Sequence, residues 1–316
     1  MAVTSSASSL PPAAIPISTD RQPLDLRSPR DRAHLIRQIV IYALLLLGGA
    51  LVLIPFFWMV ATSLKTPEQL FDLSFSFVPN PAAPQNYLDV WSKMASIAPG
   101  MTFFRVLGNT LFITVLAMVG EIISASVVAY GFARFRWRGR NVVFAIMLAT
   151  VMIPNVVTRV PAFLIWKQIG LLNTYDPLTW PSLFAWGPLY VFLMRQFFLS
   201  IPREIEEAAI LDGANVIQIY WYIMLPLIRP VLLAIAVLSF QGNWNNFQGP
   251  LLYIKTTQMF PLATAIQFFN TSLSQTAPEW QYMMALTTMM AIPVLIIYFL
   301  AQKQFIEGLN VGAVIG

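Results

Sequence analysis

The sequence has no cysteine, a single histidine, and charge on only 10% of its 316 residues. The absence of cysteine excludes disulfide bonds and cysteine-ligated metals, and His34 lies in a basic segment where we interpret it as a solvated side chain. Soluble domains average about 25% charged residues. Because 57% of this chain is hydrophobic, it lacks the charge to cover a water-exposed surface, which predicts an integral membrane protein.

Sequence motifs for nucleotide hydrolysis and for catalysis are also missing from this chain. No phosphate-binding loop of the form Gly, four residues, Gly-Lys-Ser/Thr occurs, so we expect no ATP hydrolysis here, no cofactor and no metal. An intramembrane enzyme needs His, Cys or paired acids at membrane depth, and the apolar stretches hold none of these. An ion-coupled secondary transporter stays open as an alternative, although it needs acids within the spans and Glu121 is the one that qualifies.

Six apolar stretches approach the roughly 20 residues that a bilayer span requires. They lie at about 39–64, 106–130, 141–159, 180–199, 230–254 and 281–302. We therefore predict an all-α integral membrane protein with six transmembrane helices in a domain covering residues 37–316, ending in a tail at 303–316. Residues 1–36 are rich in Ser, Pro and Ala and then in alternating Arg and Asp. They cannot bury enough apolar surface to fold and are predicted to be a disordered tail.

The basic residues orient these spans. Six spans place both termini on one side, together with the polar segment 200–229. Of the 19 Lys and Arg residues, six lie on the opposite side. The positive-inside rule then places both termini and segment 200–229 in the cytoplasm. The same rule accounts for the net charge of +5 without a nucleic-acid partner.

Segment 200–229 is the polar passage between two apolar spans, and its pattern predicts two short helices around a turn. Pro202 can open the first helix, and Gly213 permits the left-handed conformation that ends it. Ala208 and Ala209 carry little side chain, so that a partner surface can approach the backbone. Held at a membrane surface, such a segment is suited to touch another protein.

The spacing Glu207-Ala208-Ala209, three residues, Gly213, nine residues, Ile223, one residue, Leu225-Pro226 resembles the EAA loop of binding-protein-dependent ABC importer permeases. Segments 130–140, 152–154 and 170–175 resemble further parts of that family. Segment 302–316 is similar to the tail of the smaller, MalG-type permease of maltose importers.

The resemblance implies the type I ABC importer permease fold, with segment 200–229 as the coupling helix that docks into an ATP-hydrolysing subunit. The residues that it implies for this contact are Glu207, Ala208, Ala209, Asp212, Gly213, Ile223, Leu225 and Pro226. The implied partners are a second permease in a heterodimer, two ATP-binding subunits that use ATP and Mg, an extracytoplasmic solute-binding protein and membrane lipid. The implied location is the plasma membrane of a bacterium or archaeon.

The resemblance further implies that the two permeases form a translocation path for a sugar or oligosaccharide. A non-sugar solute such as a polyol or glycerophosphate is the alternative within the same family.

Polar residues inside the spans are candidates for lining this path. Glu121 lies mid-span and should face protein or water, because a charge in lipid is costly. It either lines the path or makes a structural hydrogen bond to a serine or a neighbouring helix. The amide and aromatic side chains of Asn243, Trp244, Asn245 and Asn246 suit sugar hydroxyls and a pyranose face, and they equally suit helix–helix hydrogen bonding.

Overall fold

The computed structural model describes residues 29–72, 76–273 and 279–313, and no β-strand occurs among them. The helices in that part of the chain are α1 (Pro29–Ser63), α2 (Pro67–Phe71), α3 (Asn86–Ile97), α4 (Phe103–Arg134), α5 (Arg140–Ala149), α6 (Asn155–Gln168), α7 (Asp176–Thr179), α8 (Pro188–Ser200), α9 (Glu204–Leu211), α10 (Val216–Ile219), α11 (Leu225–Leu227), α12 (Arg229–Trp244), α13 (Gln248–Tyr253), α14 (Leu262–Leu273) and α15 (Trp280–Ala313). A 3₁₀ segment covers Trp180–Phe184, and a π-helical turn covers Tyr220–Met224.

The chain divides into two compact units between Phe56 and Phe57. The first unit holds most of α1, whose stretch Ala33–Ser63 is long and apolar enough to cross a membrane. Helix α1 begins at Pro29, which corrects the predicted tail, since residues 29–36 are helical. Proline at the first position of a helix has its φ already set and loses no hydrogen bond there. Residues 1–28 of the predicted tail lie outside the described residues.

The second unit contains the other candidate spans. Phe103–Arg134 and Trp280–Gln302 are each long and apolar enough to cross a membrane, and three pairs of helices are bent by between 73° and 100° at a short break. If each bent pair is one span, the described residues hold up to six spans. The prediction of six corresponds to that upper figure.

Three of the predicted spans are less regular than expected. The third breaks between α5 and α6 with a bend of 100°, because Pro154 removes a donor and keeps Ile153 extended. The fourth becomes regular α-helix only at Pro188, after the 3₁₀ segment, and the fifth is divided between α12 and α13. At the end of the chain, α15 continues to Ala313, so most of the predicted tail at 303–316 is helical.

Helix α4 is the central element of the second unit, and it packs against α8, α12 and the 3₁₀ segment. Small side chains along α4 allow this close approach. A Cβ added to Gly120 would lie 2.8 Å from Leu183 Cδ2 and 3.4 Å from the Leu183 backbone nitrogen. A larger residue at position 120 would therefore require the Leu183 side chain to move, because the 3₁₀ segment lies close to α4 there.

Two clusters of buried apolar side chains form the core, one at each end of α4. The α4-start cluster includes Val106 and Ile113 of α4 together with Trp244, Leu262 and Leu286. Among the described residues, the α4-end cluster consists of Ala125, Ala129, Tyr130, Phe132, Ala133, Phe144, Val191, Met194, Phe198, Ala209, Ile219, Tyr220, Met224, Ile228, Val231 and Ile235. It joins the end of α4 to segment 200–229.

Polar contacts fix the loops around the α4-start cluster. The Asn173 side chain accepts hydrogen bonds from the backbone nitrogens of Lys255 and Thr256, each at 2.9 Å, and donates to the Thr256 hydroxyl. On the same side, Lys93 Nζ lies 2.7 Å from Glu279 Oε1, and this hydrogen bond raises the pKa of Lys93. These bonds connect loops that are far apart in the sequence.

Candidate functional site

Segment 200–229 forms the predicted pair of short helices around a glycine turn. Helix α9 ends in a Schellman motif, in which the Gly213 nitrogen donates to the Ile210 carbonyl at 3.0 Å and the Ala214 nitrogen donates to the Ala209 carbonyl at 2.9 Å. Gly213 has φ +86°, and a Cβ added there would meet no atom within 4 Å. The glycine is therefore required for its backbone conformation rather than for space.

The two helices begin differently from the sequence prediction. Pro202 does not open α9, because the helix starts at Glu204 with Arg203 as its N-cap. Helix α10 begins with a capping box, in which the Asn215 side chain accepts from the Gln218 nitrogen and the Gln218 side chain accepts from the Asn215 nitrogen, each at 2.9 Å. The Asn-x-x-Gln pattern that forms this box was present in the sequence but was not singled out.

The eight predicted contact residues divide by exposure. Glu207, Ala208, Asp212 and Gly213 are exposed, and Ile223, Leu225 and Pro226 are half-buried. Ala209 is buried at 7% exposure and belongs to the α4-end cluster. Its small side chain therefore allows α9 to pack closely on its own chain, which corrects the expectation that both alanines face a partner.

Sequence analysis missed a set of exposed apolar side chains on the same segment. They are Ile210, Leu211, Val216, Ile217, Trp221 and Tyr222, and we call them the exposed loop face. Leu211 is 88% exposed and Tyr222 is 79% exposed. The sequence signal for these side chains is the number of apolar residues in an otherwise charged segment. There are more of them than the inward face of a helix can bury.

A second missed feature joins this segment to α4. Arg134 Nε in the last turn of α4 lies 3.4 Å from Glu206 Oε1 of α9, and the two side chains are 4% and 15% exposed. Further along the segment, the hydroxyls of Ser126 and Tyr220 are hydrogen-bonded at 2.7 Å. The sequence shows that Arg134 and Glu206 carry opposite charges, but nothing in it shows that their side chains are in contact.

Glu121, a candidate for the translocation path, is half-buried between three elements of its own chain. Its carboxylate accepts hydrogen bonds from Ser239 of α12 and, at 3.5 Å, from Ser182 of the 3₁₀ segment. Ser124, one turn further along α4, donates to the Ser182 carbonyl at 2.9 Å. The geometry favours the structural alternative for Glu121, which holds α4, α12 and the 3₁₀ segment together.

The amide cluster of the fifth span is not one surface. Trp244 is 1% exposed, stacks on Phe240 and donates from Nε1 to the Met290 carbonyl at 3.0 Å. Its burial leaves no ring face for a sugar, which corrects that assignment. Asn243 donates to the Ser239 carbonyl at 2.9 Å, and Asn246 accepts from the Gly249 nitrogen at 3.0 Å. Asn245 is exposed, and its Nδ2 donates to the Gln241 carbonyl at 2.9 Å.

Within the described part of the chain, no group of three or more His, Cys, Asp or Glu side chains is arranged to hold a metal ion. The site is thus made of helix ends, an exposed apolar face and buried ion and hydroxyl pairs.

The fold and this loop together define a membrane protein with up to six candidate spans among its described residues and an exposed helical segment at 200–229. Comparison with known proteins gives its family. The family described as "Binding-protein-dependent transport system inner membrane component" matches residues 121–310. The chain belongs to this family. It is the permease of a binding-protein-dependent importer, a membrane component whose ATP hydrolysis resides in separate subunits.

Individual relatives match over most of their length. The arabinooligosaccharides transport system permease protein AraQ of Halalkalibacterium halodurans is 30% identical over 77% of this chain and 84% of its own. The sn-glycerol-3-phosphate transport system permease protein UgpE of Yersinia pestis is 30% identical over 86% and 95%. A solved structure of a bacterial ABC transporter that imports the acidic polysaccharide alginate has a chain that is 27% identical, with a TM-score of 0.74 over 88% of this chain and 98% of that one.

The contacts of Glu121 generate a first prediction. The change Glu121→Gln removes the charge and weakens the bonds that tie α4 to Ser182 and Ser239. We expect the yield of assembled complex and the rate of uptake to fall in the same proportion, measured by quantitative purification and by transport in vesicles. Normal yield with lost uptake would instead assign Glu121 to the translocation path.

Gly213 generates a second prediction. Since a side chain there meets open space, the cost of substitution lies in the positive φ, which a β-branched residue tolerates very poorly and asparagine tolerates much better. We expect Gly213→Val to reduce ATP-driven uptake strongly and Gly213→Asn to keep most of it. Complexes purified into nanodiscs allow uptake and retention of the ATPase subunits to be scored together. Wild-type behaviour of Gly213→Val on both would remove segment 200–229 from the coupling role.

Proposed function

We propose that this chain forms, with a second permease, the membrane path for a sugar or oligosaccharide. An extracytoplasmic binding protein delivers the solute, and two separate ATP-binding subunits hydrolyse ATP with Mg. Both termini and segment 200–229 lie in the cytoplasm, and residues 37–316 make up six spans in a bacterial or archaeal plasma membrane. Closure of the ATPase pair moves the coupling segment and switches the path from inward to outward access.

The observation that carries the docking role is the exposed loop face. Burial of one leucine side chain contributes roughly 1.5–3 kcal/mol. Burial of the six exposed apolar side chains against another surface is therefore favourable. Lipid is a poor cover, because Glu207 and Asp212 are exposed on the same segment and charges are expensive in a bilayer. A soluble protein surface with an apolar groove and basic groups at its edge satisfies both kinds of residue. The bases would pair with Glu207 and Asp212.

The sugar assignment rests on relatives rather than on a binding geometry. AraQ is a permease of arabinooligosaccharide transport, and the structural neighbour imports the polysaccharide alginate. The exposed amide of Asn245 supports this assignment, since amides donate to and accept from sugar hydroxyls. UgpE, which is equally similar at 30% identity, serves sn-glycerol-3-phosphate, and glycerophosphate is therefore the second candidate.

The docking role predicts the effect of removing one apolar contact. The change Leu211→Ser exposes a hydroxyl in place of an 88%-exposed side chain, so the folded chain should be unaffected. The loss of about 1.5–3 kcal/mol of burial predicts roughly a tenfold or greater weakening of ATPase subunit binding. The measurement is retention of those subunits on the detergent-purified complex at graded salt and dilution.

Val78→Ser is the matched control, because Val78 is 74% exposed and lies in the loop after α2. It should retain the ATPase subunits as wild type does. Equal retention by Leu211→Ser and Val78→Ser would contradict docking through the exposed loop face.

The solute class has its own test. The binding protein that co-purifies with the assembled complex is loaded in turn with arabino-oligosaccharides, alginate oligosaccharides and glycerol-3-phosphate. We expect a sugar-loaded protein to stimulate ATP hydrolysis of the reconstituted complex several-fold over the unloaded protein. Stimulation by glycerol-3-phosphate alone would transfer the assignment to the second candidate.

A further inference from the structure

Arg134 lies where three helices meet. It occupies the last turn of α4, and its Nη2 donates to the carbonyls of Phe198 at 2.6 Å and Ile201 at 2.8 Å. These carbonyls lie at the end of α8, where the last C=O groups of a helix have no partner within the helix. The guanidinium therefore provides hydrogen-bond donors for the backbone carbonyls where α8 ends, and a cation is favoured at that end of a helix dipole.

The same guanidinium faces the first turn of α9. Arg134 Nε lies 3.4 Å from Glu206 Oε1, which is longer than the ~2.7–2.9 Å of a tight charge-assisted hydrogen bond. Both atoms are buried and neither has a hydrogen-bond partner, so the contact is an ion pair shielded from water that involves no hydrogen bond between these two atoms. The planar guanidinium of arginine carries several N–H donors and can contact α8 and α9 at the same time, whereas a lysine ammonium acts as a single point charge.

The angle between α8 and α9 is not fixed by a continuous helix, so it depends on contacts such as this one. The two helices are bent by 73° across the break at residues 201–203, so the direction of α9 is not set by continuation of α8. Helix α9 also presents two distinct faces. Glu206 and Ala209, three residues apart, face inward, while Glu207 and Leu211, four residues apart, face outward, in keeping with helical geometry.

A buried ion pair contributes little net stability to a fold, because the cost of desolvating the two charges offsets much of their attraction. Its stronger use is to select one geometry among several of similar energy. We infer that Arg134 and Glu206 are a positioning pair that fixes the angle of α9 to α4, so that motion imposed on the outer face of α9 moves α4. This inference rests on the proposed docking of an ATPase subunit to that outer face.

The test separates positioning from simple structural support by measuring solute molecules transported per ATP hydrolysed. The full complex is reconstituted in proteoliposomes with Glu206→Gln, and Glu204→Gln is the matched control, since Glu204 is an exposed acid two residues away on α9. We expect Glu206→Gln to keep its ATPase subunits and to hydrolyse ATP while the transport ratio falls about fivefold or more, the usual size of a coupling effect. Glu204→Gln should keep the wild-type ratio.

A double-mutant cycle completes the test and guards against poor folding of one variant. Arg134→Lys keeps the charge but loses the fork, and we expect it to lower the ratio as Glu206→Gln does. If the two residues act as a unit, the double variant should be hardly worse than either single variant.

An unchanged ratio in Glu206→Gln, or a loss of uptake that only follows loss of assembled complex, would overturn the inference. A wild-type complex that fails to retain ATPase subunits would instead overturn the proposed function, and the inference with it.

Discussion

The structure depends on one constraint of the bilayer, in which backbone N–H and C=O groups must find partners within the protein. An unbroken helix meets this requirement by itself, but α12 stops at Trp244 and α13 starts at Gln248. At that break Asn246 accepts from the Gly249 nitrogen. At the start of α4, Asn109 donates to the carbonyls of Gln258 and Phe260. These two asparagines therefore supply hydrogen bonds to backbone groups that lie in the first turn of α13 or between α13 and α14.

This constraint explains why the candidate path residues of the fifth span bond to backbone groups of their own chain. Asparagine and tryptophan inside a span suit a sugar, and they equally suit a freed backbone carbonyl. Asn243, Trp244 and Asn245 each donate to a backbone carbonyl, at 2.9 Å, 3.0 Å and 2.9 Å, and of these three Asn245 is the exposed one. Sequence composition could not separate these outcomes, because the difference lies in the rotation of α12 about its axis and not in residue type.

Local features of the coupling segment were predictable, and contacts between distant segments were not. The turn at Gly213 followed from the backbone freedom of glycine, and its φ of +86° is the expected conformation. The spans followed from apolar length. Ala208 and Ala209 are chemically identical, yet one is exposed and the other buried, because the rotation of α9 depends on tertiary contacts such as that of Glu206 with Arg134 of α4. The pair of Arg134 and Glu206 bridges 72 positions of sequence, beyond the range of any local pattern.

Two contacts attach segment 200–229 to α4, and together they limit how the segment can move. One is the Arg134–Glu206 pair on α9, and the other is the hydrogen bond of Ser126 to Tyr220 on the π-helical turn. The two α4 residues are eight positions apart, or about 12 Å along the helix axis. A single attachment would let the segment pivot against α4, whereas two separated ones resist pivoting unless one of them breaks. The helices on either side of Gly213 are thus each tied to α4, and α4 in turn contacts α12 through Glu121 and Ser239. Under the proposed docking of an ATPase subunit, a displacement of the segment would be passed through these contacts to α4 and α12.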